Sequence, residues 1–210
     1  MTLLLIFMTS FVMAAQSQEQ EKAQNILDKV AENTKKMGAV KIIFTYSMEN
    51  PEQNINESYS GEILTKGAKY RLKISGQEII SNGETVWTYI PDAEEVQVNE
   101  ASEDANEFNP SVMLSNYQEK YRATFVKDTS LKNREMAVIK LKPQNPEEFE
   151  KAHLTVDKVK NEIYKLTIFD ETGNRFSYEV VEMLPDVGLR GDEFTFNPEK
   201  HPDVSVIDMR

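Results

Sequence analysis

The sequence predicts a mainly β (α+β) fold, a curled antiparallel open half-barrel of roughly eleven or more strands with helices covering its concave apolar side. Three observations predict it. From Val40 onward, apolar and polar residues alternate with the period of half-buried strands. The connections between these runs are short and carry turn chemistry, which joins neighbours antiparallel. Only two or three short segments have a helical pattern, and they are the only ones that could cover the apolar side of so large a sheet.

The chain opens on Leu3 to Val12, an apolar run of about ten residues, too short to span a bilayer. Val12-Met13-Ala14-Ala15 follows with small residues suited to cleavage after Ala14 or Ala15. Residues 1–15 thus read as an export signal peptide, although Met1-Thr2 carries no Lys or Arg. The competing reading is a buried N-terminal helix. Residues 16–210 are expected to form a single domain.

Ser17 to Met37 predicts an amphipathic helix. Ser17 and Gln20 fit a capping box, Ala23, Ile26, Leu27, Val30, Thr34 and Met37 recur at helical spacing, and Gly38 marks the stop. Val40, Ile42, Phe44, Tyr46 and Met48 then share one side of a strand, and a polar loop, Glu49 to Asn56, leads to a second strand at Glu57 to Thr65. Lys66-Gly67-Ala68 turns the chain into Tyr70 to Pro91, which reads as three antiparallel strands in a row. Asn82-Gly83 is a strong signal for a two-residue hairpin turn within it. Trp87, the only Trp, points to the same side as Tyr89, either as a core anchor or as part of a cavity wall.

Glu94 to Val98 adds a strand, and the acidic stretch to Phe108 reads as a solvated loop. Asn109-Pro110 opens a second helix with Met113, Leu114, Tyr117 and Tyr121 as its apolar stripe. Further strands are expected at Ala123–Lys127, Met136–Leu141, His153–Asp157, Glu162–Phe169, Asn174–Met183, Glu193–Phe196 and Asp203–Ile207.

Composition excludes several chemistries. A net charge of −11 leaves no basic footprint for nucleic acid, disfavours adsorption to anionic membranes, and favours a soluble monomer. The absence of Cys removes disulfides, thiolate catalysis, Cys-based metal sites and a lipid anchor on Cys. His153 and His201 are too few and too separate for a His-rich metal site. Neither a G-x-S-x-G elbow nor a phosphate-binding glycine loop occurs. No enzyme activity, metal or cofactor is expected. Aromatic and aliphatic residues on strands, in an exported chain, point to a hydrophobic ligand held at the mouth of the half-barrel.

Ser81-Asn82-Gly83-Glu84-Thr85-Val86-Trp87-Thr88-Tyr89-Ile90-Pro91 closely resembles the S-D-G-x-T-x-W-x-Y-x-P signature of LolA-type periplasmic lipoprotein carriers. Gly61 through Leu72, Val138 to Pro143, and Phe194-Thr195-Phe196-Asn197-Pro198 with Val204 and Val206 are similar to further segments of that family, in order. The resemblance implies a soluble periplasmic carrier of acylated lipoproteins, loaded by an inner-membrane ATP-driven transporter and unloaded by an outer-membrane acceptor. A periplasmic sensor of lipoproteins or lipids, regulating a membrane partner, is the alternative from another class.

Two departures stand out. The family's F-R-W is Tyr70-Arg71-Leu72 here, and its basic-Pro turn is Lys66-Gly67. In the family an Arg near that turn ties the lid to the sheet; Lys66 is the candidate latch, and a Lys cannot reproduce a bidentate contact. The resemblance assigns lipid contact to Tyr70. Periodicity adds Phe44, Tyr46, Leu72, Trp87 and Tyr89 on strands, and Ile26, Leu27, Val30, Met113 and Leu114 on the lid helices. The opposite set of alternating strand residues lines the cavity if the other face points inward.

Overall fold

A computed structural model describes residues 3–101, 117–145 and 149–210, with side chains from Ser17 onward. Twelve strands form one sheet in the order β12-β6-β5-β4-β3-β2-β1-β11-β10-β9-β8-β7. The strands are β1 (Val40–Asn50), β2 (Ile55–Lys66), β3 (Lys69–Ile74), β4 (Gln77–Ser81), β5 (Thr85–Ile90) and β6 (Glu95–Glu100), followed by β7 (Tyr121–Leu131), β8 (Arg134–Pro143), β9 (Lys151–Asp157), β10 (Glu162–Phe169), β11 (Arg175–Leu184) and β12 (Ser205–Asp208). Two meanders are stitched together where β1 pairs with β11. No pairing joins β7 to β12 among the described residues, so the curled sheet stays open, as expected.

Helix α1 (Leu3–Lys36) is longer than the capping box at Ser17 predicts. Residues 3–16 contain neither Gly nor Pro, and their Leu, Met and Ala carry high helix propensity, so helix continues through Ser17. It ends where expected. Met37 donates to the carbonyl of Thr34 at 3.2 Å, and Gly38 N–H donates to Asp186 Oδ1 at 3.0 Å. Helix α2 (Tyr117–Lys120) is short, and Tyr121 already belongs to β7 rather than to the helix. The start of that predicted helix, with Met113 and Leu114, lies outside the described residues.

Three local expectations are corrected. The β4–β5 turn sits one residue later than Asn82-Gly83. Asn82 N–H donates to Thr85 O at 3.2 Å, while Asn82 Oδ1 accepts from Glu84 and Thr85 N–H at 2.9 and 2.8 Å. The Asn side chain thus replaces a backbone acceptor, and Gly83 supplies the positive φ of 94°. The β7–β8 hairpin turns tightly on Lys132-Asn133, both at positive φ, instead of through a loop from Asp128 to Glu135. Glu193 to Phe196 forms turns rather than a strand, because Arg71 takes two of its carbonyls. The last strand, β12, pairs with β6 in parallel, in a sheet expected to be nearly all antiparallel.

Register assigns the faces. Phe44 pairs with Gly61 and Val180, Ile63 with Leu72, Thr65 with Tyr70, and Leu72 with Ile79. On the other half, Phe125 pairs with Ile139, Ile139 with Leu154, and Leu154 with Leu166. These residues share the concave face, and α1 packs on it over β7 and β10.

Candidate functional site

The concave face carries two buried apolar clusters. The first joins α1 to the sheet: Leu27 and Val30 are buried against Ile139, Leu141, Leu154 and Val156, with Ile26 partly buried beside them. Burying each large aliphatic side chain is worth about 1.5–3 kcal/mol, so this cluster fixes the helix on the sheet. The second lies under β1–β3 and β11 and contains Phe44, Tyr70 and Leu72, with Tyr46 packed against it. Tyr178 bridges its aromatic members, with ring centroids 5.9 Å from Phe44 and 5.2 Å from Tyr46. Tyr59 stacks on Tyr46 from β2 at 6.4 Å. An aromatic row thus crosses β11, β1 and β2, because Tyr178, Tyr46 and Tyr59 are register partners.

Residues that the sequence grouped into one lining divide between two faces. Ile26, Leu27 and Val30 sit at the helix–sheet contact, and Phe44, Tyr46, Tyr70 and Leu72 on the concave sheet face. Trp87 and Tyr89 lie on the reverse face, since Trp87 pairs with Ile80 and Val98, while Tyr89 pairs with Glu78 and Val96. There they are packed with Phe196 and Val204 of the C-terminal segment. Tyr89 meets Phe196 at 5.4 Å and His201 at 4.8 Å. The single Trp is therefore an anchor for that segment. The predicted lipid-contact set left out Met37, Ile74, Ile79, Tyr178, Val180 and Met183, all packed against the second cluster. The alternation of Phe176, Tyr178 and Val180 was the available signal.

Among the described residues, Lys66 has no hydrogen bond or ion pair to α1. It is exposed at the end of β2 and shares the reverse face with Leu64, away from α1. The tethers of α1 lie at the opposite half of the sheet. Lys22 Nζ donates to Asp128 Oδ2 at 3.2 Å and stands 3.4 Å over the Phe125 ring. Asn33 Nδ2 donates to the carbonyls of Lys160 and Asn161, both at 3.2 Å, in the β9–β10 turn. Tyr117 Oη donates to Asp28 Oδ1 at 2.7 Å, and burial pushes the Tyr117 phenol up to about 12. The Arg of Tyr70-Arg71-Leu72 faces away from the cluster formed by its neighbours. Arg71 donates to Glu193 O at 2.6 Å and Thr195 O at 3.2 Å, and pairs with Glu78 at 3.0 Å. It clamps the C-terminal segment to the reverse face.

Burial pushes the Tyr70 phenol up to about 12, which keeps it neutral and suits an apolar surrounding. The arrangement can shelter long apolar groups.

The chain matches the sequence model of the family described as outer membrane lipoprotein carrier protein LolA over residues 35–197. The chain belongs to the LolA family. The matched span runs from the end of α1 through the C-terminal segment that Arg71 clamps. No curated protein matches the chain in sequence. Among solved structures, an uncharacterized conserved protein from Thermus thermophilus shares the fold, with a TM-score of 0.61 at 13% identity, covering 89% of this chain and 99% of that one. A putative outer membrane lipoprotein-sorting protein domain from Vibrio parahaemolyticus is a looser match, at 14% identity, 84% and 97% coverage and a TM-score of 0.49. A LolA superfamily protein from Nitrosomonas europaea gives 16%, 83%, 97% and 0.47.

Proposed function

We propose that this LolA-family chain is a soluble periplasmic carrier that shelters the acyl chains of lipoproteins on its concave face and moves them from the inner to the outer membrane. The observation that supports it is the aromatic and aliphatic cluster of Phe44, Tyr46, Tyr70, Leu72 and Tyr178 on the same face as the α1 contact. Each buried methylene contributes about 0.8 kcal/mol, so several long chains need tens of kcal/mol of shelter to leave a bilayer. An extended apolar surface supplies this, and its lack of directionality suits cargo that shares only its lipid. Phe44, Tyr70 and Leu72 are at most 6% exposed, so uptake requires the segments over them to move aside. Met113 and Leu114 are proposed to complete the lid.

Residues 1–15 are proposed to direct export and to be cleaved, leaving Ser17 to Lys36 as the lid helix. Among the described residues no helix is long and apolar enough to cross a membrane. Loading by an ATP-driven inner-membrane transporter and release to an outer-membrane acceptor complete the reading, with no cofactor on this chain.

Depletion followed by membrane fractionation tests it. Lipoproteins should accumulate in the inner membrane. Normal sorting would sink the carrier reading, and normal sorting by cells whose protein still co-purifies with acylated polypeptide would indicate a sensor instead.

A further inference from the structure

The reverse face of β7–β10 has a charge opposite to that of the whole chain. Residues 121–170 hold 10 Lys and Arg against 8 Asp and Glu, in a protein of net charge −11. Strand alternation sorts them. Phe125, Ile139, Leu154 and Leu166 point at α1, so their neighbours in sequence point the other way. Register aligns Arg122 with Lys142, Thr124 with Lys140, and Lys127 with Val138. It then aligns Lys140 with His153 and Val138 with Thr155, and continues with Lys165 beside Thr155 and Lys151 beside Phe169.

Three of the acids nearby are already engaged. Asp157 pairs with Arg134 at 3.2 Å and accepts from the amides of Val159 and Lys160. Glu179 accepts from Tyr164 Oη at 2.6 Å and lies 3.6 Å from Lys165. Lys151 pairs with Glu150 at 2.7 Å. Arg122, Lys127, Lys140 and Lys142 form no ion pair among the described residues. The imidazole of His153 is held below its ordinary range, first by burial and then by the charges of Lys151, Lys140 and Lys127. Among the described residues, α1 packs on the opposite face of these strands, against Ile139, Leu154 and Leu166.

We infer that this basic face, centred on Lys140 and His153, docks an acidic, Asp/Glu-rich surface of a protein partner. Charge complementarity sets the sign of the partner. The choice of a protein over a bilayer rests on the carrier reading. A bilayer bound here would hold the concave face on the far side of the sheet, where acyl chains could not pass between them. A protein docked here leaves the apolar side free to receive or release cargo.

The probe is a decaglutamate peptide, added at low salt to the mature protein and followed by amide chemical shifts. Binding should perturb β8 and β9, weaken steeply with added salt, and fall at least tenfold in the triple variant Lys127→Glu, Lys140→Glu and Lys142→Glu. Lys69→Glu, at the far half of the sheet, should bind as the parent does. An unchanged thermal midpoint establishes that the triple variant is folded. Equal binding by parent and triple variant, or shifts confined to other strands, would overturn the inference. So would tighter, lysine-dependent binding to phosphatidylglycerol vesicles than to the peptide. Binding of a triacylated lipopeptide is measured in parallel. Its absence in both proteins, with peptide binding by the parent intact, removes the carrier reading but not the basic docking face, and the comparison with vesicles then decides by itself between a protein and a bilayer.

Discussion

Phe44 lies across Gly61. A Cβ built at Gly61 would stand 2.6 Å from Cε2 and 3.0 Å from Cε1 of the Phe44 ring, closer than real contacts allow. The two are register partners on β1 and β2, so the ring occupies the space that a side chain at Gly61 would need. Gly61→Ala should therefore destabilise the fold by about 1–3 kcal/mol through overpacking. Phe44→Leu should recover part of that loss in the double variant. Denaturant titrations of the four proteins in the cycle check it; additive effects would mean the two sites are independent.

The reverse-face clamp gives a second expectation. Arg71→Ala removes donors to two carbonyls of the C-terminal segment and the partner of Glu78. A charged hydrogen bond is worth about 1.5–3 kcal/mol, and Arg71 is partly solvated, so about 2 kcal/mol is expected. The loss should be local. Limited proteolysis should cut near Phe194 to His201 before any other site, and a uniform loss of protection would contradict the clamp.

Asn33 offers a test of how the lid is held. Its amide bridges α1 to the β9–β10 turn through two carbonyls. Asn33→Ala should loosen α1 by about 1 kcal/mol, seen as roughly fivefold faster hydrogen exchange in the helix. Lys66→Ala should leave that exchange unchanged, since Lys66 is exposed on the other face.

Tyr70 links the concave cluster to alkaline pH. Its phenol is raised from 10.0 to about 12 by burial, so the folded state holds its proton where the unfolded chain has released it. Stability is therefore undiminished below pH 10 and falls as pH rises from 10 through about 12. Tyr70→Phe should reduce that fall to the part contributed by the Tyr117 phenol, which burial also raises to about 12. A parallel decline in both proteins would show that Tyr70 is not the group responsible.

The sheet was legible because period two persists through Val40–Met48, Tyr70–Ile74 and Phe176–Val180, and its antiparallel meanders follow from short turns. The face of each strand was less so. Trp87 and Tyr89 share a parity, as do Tyr70 and Leu72, but relating the two pairs requires the register through β4. That register depends on hairpin geometry, and the turn lies at Gly83-Glu84 because the Asn82 side chain caps it. The parallel pairing of β12 was hidden for a similar reason. It depends on a crossing segment held by Arg71 and by stacking of Phe196 on His201, contacts distant in sequence. The tethers of α1, Lys22 with Asp128 and Asn33 with two turn carbonyls, were not legible because they are ordinary surface residue types.

Trp87 turns this split into an optical test. It lies on the reverse face, so brominated acyl chains bound on the concave face should leave its fluorescence intact. A Trp introduced as Tyr46→Trp, in a Trp87→Phe background, should be quenched. Quenching of native Trp87 alone would place the lipid on the wrong side of the sheet.

The central claim is that the buried face around Tyr70 shelters acyl chains. Its most direct test is the affinity of the purified protein for a triacylated lipopeptide, compared between the parent and Tyr70→Glu, with folding of the variant established independently. A charge in that cluster should weaken binding a hundredfold or more, equivalent to about 2.7 kcal/mol. Equal affinity in parent and folded variant would contradict the account.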